Sequence, residues 1–125
     1  DTILVYVKGC SGCVSGYQPS IFIFWNEKSN YYVKSYSYLK VGNVNRIYRN
    51  VFNYYNLLVS VSSSTLVEPK YPRLLHYKFS KIIFIVNGIV EKETVVDEDY
   101  MIIENIRDSS INFIYFIESL LFRIN

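Results

Sequence analysis

The chain has 125 residues, with 13 basic and 11 acidic side chains, a formal net charge of +2 and half of its residues hydrophobic. That length is one ordinary domain, apolar enough to form a core without disulfide stapling. The near-neutral balance excludes the basic footprint of nucleic-acid or anionic-membrane binding, and no apolar run is long enough to span a bilayer as a helix.

Thr2 to Val7 is β-branched and aromatic with no polar break, and predicts a buried strand. Gly9 and Gly12 then flank Cys10 and Cys13 in a predicted loop. From Val14 to Lys28 two readings compete. Ile21 to Trp25 has the residue types of a strand that could form a hairpin with Tyr31 to Tyr38 across a turn at Asn26 to Asn30. A helix starting near Cys13 must tolerate Gly16 and Pro19, yet it suits the overall architecture argued below and is preferred on that ground.

Tyr31 to Tyr38 alternates as a strand, and Gly42-Asn43 ends it. Val44, Ile47, Val51, Tyr54, Tyr55 and Leu58 then recur at helical spacing, which predicts a helix over 44–58. Ser60 to Thr65, with Pro69 and Pro72, reads as a loop. Leu74 to Phe79 and Ile82 to Val86 predict two strands. Asn87-Gly88 is the strongest turn dipeptide in the chain, and Ile89 to Val96 can pair back across it. The acidic stretch from Glu91 to Asp108 predicts a solvated loop or edge. Asp108 or Ser109 can cap a last, mostly apolar helix through Phe122.

The chemistry-bearing feature is Lys8-Gly9-Cys10-Ser11-Gly12-Cys13, which holds both cysteines. So short a loop gains little from a structural disulfide. One CxxC supplies only two metal ligands, and His76 is the lone histidine, so neither a metal nor a cofactor is expected. No nucleophile elbow, dinucleotide fingerprint or Walker sequence occurs. A start at Asp1 fits a processed secreted, luminal or organellar chain, and equally an excised domain.

Two stretches carry a family resemblance. Ile3 to Cys13 is similar to the strand-then-CxxC opening of glutaredoxins, and Tyr71-Pro72-Arg73-Leu74-Leu75-His76-Tyr77-Lys78 to the segment where thioredoxin-like proteins place a cis-proline beside the active site. The resemblance implies a thioredoxin-like α/β domain with a central mixed sheet of about four strands flanked by helices. The hairpin reading gives instead another α+β sheet with two helices. The resemblance further implies a thiol–disulfide oxidoreductase acting on protein thiols. Cys10 would be the nucleophile, activated by a helix N-terminus and by Lys8, with Cys13 resolving and Pro72 lying against the sulfurs. Gly9 stands where the family carries an aromatic residue.

A second function competes. Thirteen tyrosines and eight phenylalanines are unusually many, and they can serve a core with an amphipathic surface. Tyrosine is enriched at protein interfaces, so the chain can equally be a non-enzymatic interaction or accessory subunit with a tyrosine-rich binding face and a protein partner.

Overall fold

The computed structural model describes residues 1–11, 19–37, 40–58, 66–67, 77–97 and 109–124. Among the described residues seven strands form one sheet: β1 (Thr2–Ser11), β2 (Ser20–Glu27), β3 (Asn30–Tyr36), β4 (Val41–Ile47), β5 (Leu66–Val67), β6 (Tyr77–Val86) and β7 (Ile89–Asp97). Two helices are described, α1 (Val51–Leu58) and α2 (Ser109–Ile124). The strand order is β4-β3-β2-β1-β6-β7-β5, and every neighbouring pair is antiparallel except β5 with β7.

This arrangement overturns the thioredoxin-like fold. The helix expected to follow the first strand would run through Ile21 to Trp25, whereas the next described element is β2, hydrogen-bonded antiparallel to β1 from Ile3↔Trp25 to Lys8↔Ser20. The β-branched and aromatic run Ile21 to Trp25 follows its own strand propensity, and the helix preferred for it on architectural grounds does not form. It pairs with β3 in a hairpin whose turn residues, Lys28 and Ser29, both have positive φ, 52° and 66°. Asn87-Gly88 makes the equivalent turn between β6 and β7 with the residues such turns prefer.

Two further expectations are corrected. The helix over 44–58 exists only from Val51. Its first half is β4, which pairs with β3 through Tyr31↔Ile47 and Lys34↔Val44. Val44 and Ile47 match the helical stripe by spacing alone, but one is 51% exposed and the other buried, as alternation along a strand requires of residues three apart. Asn50 starts the true helix, its side-chain oxygen accepting the Asn53 N–H at 3.0 Å. The two strands expected at 74–79 and 82–86 are joined in one, β6. Ser80 and Lys81 do not break it because each has a use on its own face: Ser80 is buried near the Tyr6 hydroxyl, and Lys81 pairs with Glu93. Residues 60–65, Pro69, Pro72 and most of the acidic stretch lie outside the described residues.

Both helices pack on one face of the sheet. That face is built by alternate residues: Leu4 and Tyr6 on β1, Phe24 on β2, Val33 on β3, Ile82 on β6 and Val96 on β7, all buried. α1 contributes Val51, Phe52 and Tyr55, and α2 contributes Ile111, Ile114, Ile117 and Leu121 at helical spacing. Tyr54 stacks on Phe116 at 4.2 Å and joins the two helices, while Tyr55 stacks on Phe84 at 4.6 Å and joins α1 to the sheet.

The Tyr55 hydroxyl is buried with no hydrogen-bond partner, and burial pushes its pKa from 10.0 up to about 12. The neutral form is the one the fold accepts. Below pH 10 both folded and unfolded forms are neutral; above it the unfolded chain ionises first, so stability falls as pH rises through about 12. The expected loss is about 2–3 kcal/mol between these limits. Tyr55→Phe should be neutral or slightly stabilising at pH 7 and should remove that part of the alkaline slope, measured by urea unfolding at stepped pH; an unchanged slope would place Tyr55 in contact with solvent. Lys28→Asn with Ser29→Gly should raise stability by about 1 kcal/mol in the same assay, since these residues adopt positive φ at lower cost.

Candidate functional site

The resemblance to redox proteins points first to the end of β1. Cys10 lies within this strand, opposite Lys78 of β6. It is disulfide-bonded and not a free thiol. The chain's other cysteine, Cys13, lies outside the described residues, as does Pro72. Of the helix expected to follow the CxxC and activate Cys10, the part from Ser20 onward is β2, and its start lies outside the described residues. Lys8 is held elsewhere: its ammonium lies 3.0 Å from Glu118 Oε1 on α2. Gly9, where the family carries an aromatic residue, lies under the ring of Phe79 from the paired strand. A Cβ at Gly9 would come within 2.5 Å of that ring. The ring covers the bare backbone, a cross-strand arrangement that stabilises glycine in a sheet.

What the structure brings together around Lys8 is a polar clasp. The Tyr6 hydroxyl donates to Glu118 Oε1 at 2.6 Å and lies 3.3 Å from Ser80 Oγ. Tyr6 is fully buried, so its hydroxyl needs these partners, and the short bond to a carboxylate is a strong one. The Lys8 pair is more than a third exposed and adds little. This clasp pins the middle of α2 to the central strand. Sequence spacing could not reveal it, because Tyr6 and Glu118 are separated by 112 residues.

The opposite face of the sheet is the more telling surface. By alternation and register its residues form three rungs across the strands. The first runs Arg46, Tyr32, Trp25, Ile3, Ile85, Val90. The second runs Val44, Lys34, Ile23, Val5, Ile83, Glu93. The third runs Val41, Tyr36, Ile21, Val7, Lys81, Val95. The central strands β2, β1 and β6 place almost only apolar side chains here, each partly exposed. Neither described helix lies on this face. At strand spacing of about 4.8 Å and a rung spacing of about 7 Å, these three strands present an apolar face on the order of 300 Å², the range of the largest apolar patch on a typical monomer, which is often functional.

The charges on this face are already partnered within the chain. Lys81 pairs with Glu93 at 3.0 Å, Lys34 lies over the Tyr36 ring at 5.4 Å, and Arg46 donates to Asn30 Oδ1 at 2.7 Å and covers Tyr48. Trp25, the only tryptophan, stacks on Tyr32 at 5.7 Å. The tyrosines are therefore divided: Tyr6 and Tyr55 serve the core, while Tyr32 and Tyr36 lie on the open face.

No protein-family model matches the chain, and no curated protein or solved structure is significantly similar to it. Among the described residues, no helix is long and apolar enough to cross a membrane.

Glu118→Ala should destabilise the fold by about 2–3 kcal/mol by leaving the buried Tyr6 hydroxyl short of its acceptor, whereas Lys8→Ala should cost less than about 1 kcal/mol. Chemical denaturation of the two variants checks the ordering; equal effects would make the exposed ion pair, not the Tyr6 bond, the source of the stabilisation.

Proposed function

We propose that the chain is a non-enzymatic interaction domain that packs the outer face of its sheet against an apolar surface of a protein partner. The observation that carries this reading is the face itself: three rungs of partly exposed apolar side chains with no described element over them. The surrounding charges support it, because they are paired internally and leave an apolar centre with a polar margin, the anatomy of a protein interface. Trp25, Tyr32 and Tyr36 are the residue types that anchor such contacts. The position of Cys10 within β1 further favours a structural part for the cysteine over a nucleophile held at a helix N-terminus.

Trp25 makes the test direct. In the purified chain its fluorescence should be readily quenched by acrylamide, and a photo-crosslinker placed at Ile23 should capture a discrete partner in cells of the source organism. The same probe at Tyr115, exposed on α2, should not capture it, and Ile83→Glu should abolish capture at Ile23 without unfolding the chain. A Trp25 shielded from quencher in the isolated monomer, or equal capture at both positions, would overturn the proposal.

A further inference from the structure

A recess between the two helices is independent of the open sheet face. It lies where the start of α1 meets the second half of α2 and has a volume of about 170 Å³. Arg49 and Tyr54 line it from the α1 side, and Phe116, Ser119, Leu120 and Arg123 from α2. The stack of Tyr54 on Phe116, at 4.2 Å, fixes one wall.

The described lining holds two guanidinium groups and no carboxylate. Neither arginine is neutralised from within the chain. Arg46, the other described arginine, donates to Asn30 and lies over Tyr48, and Lys8 and Lys81 have carboxylate partners. Among the described residues the Arg49 and Arg123 guanidinium groups take no ion pair, hydrogen bond or ring contact. Glu118, beside Ser119 in sequence, is already held by the Tyr6 hydroxyl and Lys8.

The position of Arg49 adds a separate argument. It directly precedes Asn50, which caps α1, so its charge stands at the positive end of that helix. No acidic residue occupies the first turn of α1 to offset it. Arg123 has a structural use, since a cation in the last turn of α2 complements the negative end of its helix. Arg49 has no such use, and a neutral or acidic side chain would suit its place better. Two like charges share one small recess, and an anion between them relieves their repulsion.

Charge and shape select among anions. A carboxylate carries one negative charge, and a single guanidinium satisfies both of its oxygens. A phosphate monoester carries a charge of about −1.5 to −2 and three terminal oxygens, enough for two guanidinium groups and a hydroxyl donor. A nucleic-acid backbone or an anionic bilayer requires a broader basic surface than one pair of arginines on a chain of net charge +2.

We propose that the recess between α1 and α2 binds the phosphate group of a soluble phosphate monoester, with Arg49 and Arg123 bonding its oxygens and the Ser119 hydroxyl donating a further hydrogen bond.

The test follows the arginine Nε–H signals of the isotopically labelled chain by NMR during titration with phenyl phosphate, inorganic phosphate, acetate, and phosphatidylcholine vesicles containing phosphatidic acid. Phenyl phosphate should bind in the millimolar range or tighter, at least as well as inorganic phosphate and about tenfold better than acetate, and should shift the signals of Arg49 and Arg123 but not Arg46. Arg49→Gln and Arg123→Gln should each weaken it about tenfold, whereas Lys34→Gln, which removes the same charge from the outer face, should leave it unchanged. Both arginines are exposed, so these variants keep the fold, which unchanged backbone amide signals of α1 and α2 verify. No binding of phenyl phosphate, preference for acetate or inorganic phosphate, binding confined to the vesicles, or equal weakening by Lys34→Gln would each overturn the proposal.

Discussion

The pairing of β1 on both sides is the constraint on which the remaining structure depends. This strand is hydrogen-bonded to β2 from Ile3 to Lys8 and to β6 from Thr2 to Ser11, and so sets the register of both hairpins. Its alternation assigns Leu4 and Tyr6 to the helix-covered face and Ile3, Val5 and Val7 to the other. A slip of one residue would exchange these sets and put the Tyr6 hydroxyl outside, away from Ser80 and Glu118. The clasp on α2 and the identity of the open face are thus two consequences of one register.

The sheet's two sides differ in what completes them. On the inner side α1 and α2 bury Leu4, Tyr6, Phe24, Val33, Ile82 and Val96 to a few per cent exposure or less. On the outer side a comparably apolar set, centred on Val5, Ile23 and Ile83, stays partly exposed. Antiparallel sheets with one solvated face normally alternate apolar and polar residues. Here β1 and β6 are apolar on both faces, which is the pattern of strands covered from both sides. That mismatch between strand composition and described cover is the physical basis for reading the chain as part of a larger assembly.

Individual strands were largely legible. Ile3 to Val7, Tyr31 to Tyr36 and the Asn87-Gly88 hairpin follow from residue type and turn chemistry, and α2 follows from its apolar stripe. Reading went astray where a global template displaced a local signal. Ile21 to Trp25 carries strand propensity, yet a CxxC beside an apolar run suggested a helix there. The 44–58 stripe failed for another reason: residues recurring at three and four cannot distinguish one helix from a strand followed by a shorter helix when a polar turn at Tyr48 to Asn50 separates them. Of the residues proposed for redox chemistry, Lys8 and Cys10 are placed on β1, with Lys8 engaged by α2 and Cys10 disulfide-bonded.

The sequence by itself determined that this is a near-neutral, aromatic-rich chain with strong strands, a sharp hairpin turn at Asn87-Gly88 and an apolar final helix, because these properties depend on residue type and on neighbours a few positions away. Only the tertiary structure decided the strand order, which face the helices cover, the bond between Tyr6 and Glu118, and the convergence of Arg49 and Arg123 on one recess. Those features join residues far apart in the chain. Their formation depends on which of several compatible strands meet across the sheet, and that choice is made by collective burial and not by any local pattern.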